Sequence, residues 1–238
     1  MFSIDTLFIF NMNPSHNLRD KKTDLSPFLF HFTSGEDPFG NINSIIEERC
    51  LVCKRTIKDY LKAVCFTESP LTLSLQVFNY MNSLSKPRFS KYGIGFKRDV
   101  LIRDYAARPV IYGDEHEYNL LSDKLKWRFE YLDVSQYDFQ WLREWRIKGD
   151  TFDFSNIPTD DIIIITPTTE DLGRIVAFQE FDEVDFEFDH GETFPSPIYK
   201  LSREWKGVSF EMVSSYTTDK ELENDTDLQE IGETIHLQ

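Results

Sequence analysis

With 238 residues, 40% of them hydrophobic and 15% aromatic, the chain is long enough for a substantial core and too rich in aromatics for a disordered protein. Its formal net charge of −15 excludes a uniformly basic nucleic-acid binder, but the charge is concentrated. Seven acids with no Lys or Arg between Glu180 and Glu192, and seven acids with one Lys between Thr217 and Gln238, supply −13 of it. The rest is close to neutral and holds two basic windows, Lys54–Lys62 and Lys86–Arg103, so nucleic acid stays open as a partner. Cys50, Cys53 and Cys65 make no secreted disulfide framework, and Cys50-Leu-Val-Cys53 lacks the second pair a zinc site needs, so no metal is expected. The N-terminus carries Asp5 and no basic lead-in, and no run approaches the ~20 apolar residues of a bilayer span. A soluble, cytoplasmic protein without a membrane partner is expected.

In chain order, residues 1–26 open with an apolar segment, a short strand or helix, and then turn polar. Phe28-Leu-Phe-His-Phe32 predicts a buried aromatic strand, and Ser34 to Gly40 a turn. Asn43 to Leu51 reads as a helix with Asn43 as N-cap, and Thr56 to Leu61 as a second helical turn. Ala63 to Thr67 predicts a strand ended by Glu68-Ser-Pro70, and Leu71 to Leu84 a helix. Lys91 to Phe96 predicts a strand; its Gly93-Ile-Gly95 lacks the third glycine of a dinucleotide fingerprint. A helix over Val100–Ala107, a strand at Pro109–Tyr112 and a helix over Asn119–Asp133 follow. Asp161-Ile-Ile-Ile-Ile-Thr166 is the most strand-like run of all, Ile175–Phe178 is another apolar element, and Gly207 to Val213 reads as a strand. The acids between Glu180 and Glu192 are expected to be solvated and unstructured.

Two places carry candidate chemistry. Glu144 lies in Trp141-Leu-Arg-Glu-Trp-Arg-Ile147, a carboxylate between two arginines and two tryptophans. His31-Phe-Thr33 puts a histidine inside an aromatic strand, where a core role is the ordinary outcome. Trp141, Trp145 and Trp205 read as packing residues. Arg203-Glu-Trp-Lys206 repeats the Arg-Glu-Trp pattern, and Glu204 reads as structural.

The order strand, His31-Phe-Thr33, loop, helix, then Val64-Cys-Phe-Thr-Glu-Ser-Pro70, then Arg143-Glu-Trp-Arg-Ile147, then Ile157-Pro-Thr-Asp-Asp-Ile-Ile-Ile-Ile165, resembles the ADP-ribosyltransferase fold. It looks most like the DarT-type toxins that modify nucleic-acid bases and related phage-defence proteins, over roughly residues 28–170. The resemblance implies an α+β fold, a split antiparallel sheet around an NAD cleft, with a C-terminal β extension. The implied divisions are an N-terminal segment 1–27, a core 28–175, an acidic block and extension 176–216, and an acidic flexible tail 217–238. It implies Glu144 as the catalytic carboxylate, stabilising positive charge that develops on the ribose as the glycosidic bond breaks. It implies NAD contacts from His31 at the adenosine ribose, Thr33 and the Phe32 backbone at the nicotinamide end, Phe66 as an apolar wall and Ser69 in the adjoining turn. Arg55 is the candidate for the pyrophosphate, with Lys54 and Lys58 equally near. Position 142 is Leu, where many arginine-specific transferases have an acid, and the segment between His31 and the second strand is shorter than in DarT-type toxins.

The leading expectation is therefore an NAD-dependent ADP-ribosyltransferase toxin or defence effector acting on RNA or single-stranded DNA, with an antitoxin or chaperone as a further partner. The alternatives are ADP-ribosylation of a protein, or a non-enzymatic antitoxin or adaptor module in which Glu144 pairs with Arg143 or Arg146 and His31 is core. A metal-dependent hydrolase has little support, because no His/Asp/Glu cluster has ligand spacing.

Overall fold

Period-2 alternation in the aromatic segment around His31 makes it the central strand of the molecule. The computed structural model describes residues 25–53, 60–82, 89–132, 139–187, 193–203 and 205–219. These form a mixed α+β fold on a mostly antiparallel seven-stranded sheet. Strand β1 (Phe28–Phe32) is in the middle. On one side lie β3 (Ala63–Thr67), β8 (Glu144–Lys148) and the short edge strand β5 (Arg108–Pro109). On the other lie β4 (Gly93–Lys97), β10 (Ile162–Thr166) and β13 (Lys206–Ser209), the last parallel to β10.

Both faces of this sheet are covered, which is why β10 is apolar at every position but its last. Ile162 and Ile164 join Leu29, Val64, Phe66, Ile94 and Phe96 on one face. That face is roofed by α1 (Pro38–Glu48), α3 (Arg98–Asp104), α5 (Thr169–Val176) and the ribbon of β2 (Cys50–Val52) with β9 (Thr151–Asp153). Ile163 and Ile165 join Phe28, Phe30 and Val208 on the other, under α2 (Leu71–Asn82) and α6 (Phe210–Asp219). The Gly93-Ile-Gly95 motif is packing chemistry. A Cβ on Gly95 would sit 2.6 Å from Phe30 Cδ1 and 2.7 Å from Ile163 Cγ2, and one on Gly93 would sit 2.7 Å from Phe32 Cδ1. The glycines leave room for the rings of β1.

Several expected elements move. The first helix begins at Pro38 because Asp37 accepts a hydrogen bond from the Gly40 amide at 2.8 Å, so Asp37-Pro38, not Asn43, starts it. The helix expected over 119–133 is displaced upstream to α4 (Glu115–Leu120), opened by a capping box between Asp114 and Glu117. A 3-10 turn at Lys126–Arg128 and strand β7 (Phe129–Tyr131) follow, paired in parallel with β6 (Ile111–Gly113). The strand expected over Gly207–Val213 stops at Ser209, whose hydroxyl accepts from the Met212 amide at 3.1 Å and turns the chain into α6. The acidic block is a strand, β11 (Ala177–Glu187), laddered against β12 (Thr193–Arg203) as a separate hairpin, with aromatic and acidic residues interleaved along it. Residues 1–24 and 220–238, and most of the predicted 56–61 turn, lie outside the described residues. Among the described residues no helix is long and apolar enough to cross a membrane.

Candidate functional site

The three separated segments that carry the candidate residues become three adjacent strands, in the order β1–β3–β8. The ladder then decides where each side chain goes, since residues opposite each other in antiparallel strands share a face. Phe30 is opposite Thr67, and Thr67 is opposite Glu144. His31 is one residue out of phase with that row. Its side chain therefore belongs to the α1 face and that of Glu144 to the opposite one. The contacts agree: the His31 ring lies edge-on to Phe66 with centroids 6.0 Å apart, and Phe66 packs in the core beneath α1.

Glu144 is at the start of β8, just after Arg143 adopts a left-handed backbone with φ 44°. Its Oε1 accepts from Arg146 Nε at 2.6 Å. Arg146 in turn donates to the carbonyls of Phe129 at 2.7 Å and Trp127 at 3.2 Å, and pairs with Glu130. The Arg146 side chain is 3% exposed and that of Glu144 12%, so the guanidinium is sealed while the carboxylate keeps an edge of solvent. Burial works against the Arg146 charge, but Glu144 and Glu130 hold its pKa above that of a free guanidinium. Tyr112, on β6, is pushed up to about 12 by burial and then by the Glu144 charge.

Cys65 connects these groups. It stands opposite Arg146 in the ladder, on the Glu144 face. Its thiol pKa is raised well above the ordinary range by burial first and by Glu144 second, yet the residue is solvent-exposed. Cys65 therefore stands beside Arg146 on the Glu144 face of the sheet and meets solvent there. The Cys65 carbonyl faces the other way along the sheet and lies 2.8 Å from His31 Nδ1. That bond occupies a thin place in the sheet: β1 shares five ladder pairs with β4 but one with β3. The sheet is continuous across this seam, which His31 and Cys65 border, and the expected split is not seen among the described residues.

The remaining candidates are structural in this arrangement. Phe66 is 2% exposed and lies edge-on to Phe96 and Phe152, so it cannot be the open wall expected of it. Ser69 is fully buried and its hydroxyl is bonded to the Trp141 carbonyl. Thr33 Oγ1 lies 2.7 Å from Ser90 Oγ and 3.1 Å from the Tyr92 carbonyl. The Phe32 ring packs edge-on to Phe78 at 4.8 Å, away from His31. Arg55 and Glu204 lie outside the described residues. The six nominated residues that are described therefore do not line one cleft with their side chains: Glu144 and His31 are left, on opposite faces of the sheet.

Sequence reasoning passed over Glu130, Cys65 and Tyr112 as site residues, and named Arg146 only as a partner of Glu144 in the binding-module alternative. The signal for Arg146 was present, because it lies two residues from Glu144 on a strand and so shares its face. It also passed over Glu68, which is 6% exposed and tied to Arg98 and to Trp145 Nε1, the latter at 2.9 Å. Glu68 is the buried carboxylate on the His31 side. Among the described residues no group of three or more His, Cys, Asp or Glu is placed to hold a metal ion. No family model matches the chain, nor does any curated protein or solved structure.

Proposed function

We propose that the chain is an NAD-dependent ADP-ribosyltransferase, a toxin or phage-defence effector, in which Glu144 is the acting carboxylate. The observation that carries the reading is a glutamate whose carboxylate is fixed by a sealed arginine yet keeps an edge of solvent, one strand away from the β1–β3 seam. In the reaction the C1′–N bond to nicotinamide breaks, nicotinamide leaves with the bonding pair, and a lone pair of the acceptor closes the new bond at C1′. The negative carboxylate stabilises the cationic ribose in passing, and the acceptor's proton leaves to Glu144 or to solvent.

The acceptor we propose is an unpaired base in RNA or single-stranded DNA, where an exposed nitrogen can act as nucleophile. Its support is the basic window Lys54–Lys62, one of two in the near-neutral part of the chain, together with Leu142 in place of the acid of arginine-specific transferases.

A second reading has its own observation. Glu144 is ion-paired to Arg146 and His31 bonds a backbone carbonyl, as in a non-enzymatic α+β binding module. Purified protein incubated with radiolabelled NAD and, separately, RNA, single-stranded DNA and lysate protein separates the two. Label on nucleic acid with wild type and its loss in Glu144→Gln support the transferase. No label on any acceptor and no NAD consumption leave the binding module.

A further inference from the structure

Arg146 makes more bonds than an ion pair needs. Its side chain reaches the Glu144 carboxylate through Nε, the Trp127 and Phe129 carbonyls through one terminal nitrogen, and Glu130 through the other. The two carbonyls belong to the 3-10 turn and to the start of β7, and the Phe129–Tyr131 strand is laddered to β6, which carries Tyr112. One guanidinium thus ties the edge of the main sheet to the β6–β7 ribbon and aims the Glu144 carboxylate between them. A planar fork with donors in fixed directions can do this; a lysine ammonium, a point charge on a flexible stem, cannot satisfy the same acceptors.

We infer that Arg146 is a positioning residue, which sets the direction of the Glu144 carboxylate on the Cys65 face of the sheet using the Trp127 and Phe129 carbonyls as its anchor. Its catalytic consequence rests on the transferase reading above; the positioning itself does not. Cys65 reports on it directly, because Glu144 bears on that thiol both as a charge and as a hydrogen-bond partner. Tyr112 and Glu130 are the other titratable groups at this edge and are the same in every variant compared.

The test uses the full chain as wild type, Glu144→Gln, Arg146→Lys and the double variant. The rate of Cys65 alkylation by iodoacetamide is followed against pH by mass spectrometry of the Cys65 peptide. Removing the carboxylate in Glu144→Gln moves the profile to lower pH by about half a unit or more. Because the Arg146 guanidinium itself lowers the thiol pKa, the same step is repeated in the Arg146→Lys background. There the double variant is expected to lie on Arg146→Lys, the carboxylate having swung off the thiol. A double variant shifted from Arg146→Lys by as much as Glu144→Gln is from wild type overturns the inference. If Arg146→Lys does not fold, the wild-type Arg146 Nε–H resonance takes its place. A signal protected from exchange in wild type and exposed in Glu144→Gln is expected, and an unprotected one in wild type overturns the inference. Where wild type consumes NAD, Arg146→Lys lowers kcat about 100-fold with KM within about threefold, and an unchanged kcat overturns the catalytic part. Where wild type consumes no NAD, the transferase reading falls and the alkylation profiles still decide the positioning.

Discussion

Arg146 Nε donates to Glu144 Oε1 at 2.6 Å across two residues of one strand, and the arginine is sealed while the glutamate is not. Desolvation is costly for a lone charge and tolerable for one whose three nitrogens all donate to an acceptor, as here. The pair therefore holds a carboxylate at the protein surface in one direction, which is what electrostatic stabilisation of a developing cation requires. Glu144→Gln keeps the size and removes the charge. We expect it to lower ADP-ribosyl transfer at least ~100-fold at pH 7 with KM for NAD little changed, measured from labelled NAD.

His31 stands on the other side of the seam, its ring bonded to the Cys65 carbonyl. His31→Ala removes that partner and is expected to cost about 1 kcal/mol in urea unfolding. Transfer is expected to fall less than ~10-fold, far less than for Glu144→Gln. Equal losses in the two variants would put both side chains in one site, against the ladder register.

Gly95 has no space for a methyl group beside Phe30 and Ile163, both held in the packed face under α2 and α6. Gly95→Ala is expected to destabilise the fold by ~1–3 kcal/mol, by forcing those side chains off their rotamers. Gly149, at φ 137° in the turn after β8, is unstable to substitution for a different reason, backbone strain rather than crowding. Urea midpoints for Gly95→Ala and Gly149→Ala measure both. Adding Phe30→Leu is expected to recover part of the loss in the first and none in the second.

Tyr92 donates its hydroxyl to Asp171 Oδ2 at 2.9 Å, and burial followed by that bond pushes its pKa up from 10.0 to about 12. Raising the folded-state pKa of a phenol means the folded protein keeps its proton when the unfolded chain has lost it. Stability from this group is whole below pH 10 and is lost as pH climbs through the folded value of about 12. Tyr112, also at about 12, adds to the same window. Thermal midpoints are expected to decline more steeply between these two pH values in wild type than in Tyr92→Phe, which has no proton there to lose. Parallel declines would remove Tyr92 from the account.

The sequence by itself determined the strands built on strong local pattern. Phe28–Phe32, Ala63–Thr67 and Ile162–Thr166 are found within a residue of where alternation and β-branched runs put them. The strand headed by Glu144 was not among them. Elements that depend on a cap or on distant neighbours were not legible. The Asp37 and Asp114 caps shift two helices, and the run around Phe129, helical by spacing, becomes a strand by pairing with Ile111–Gly113. The site was decided by tertiary structure for a simple reason. Chain order brings His31, Phe66 and Glu144 onto neighbouring strands, but register assigns faces, and one residue of phase separates His31 from Glu144. The same register gives Glu144 the neighbours no linear reading supplies: Thr67 across the ladder, Cys65 opposite Arg146 on the same face and, through Arg146, the carbonyls of Trp127 and Phe129.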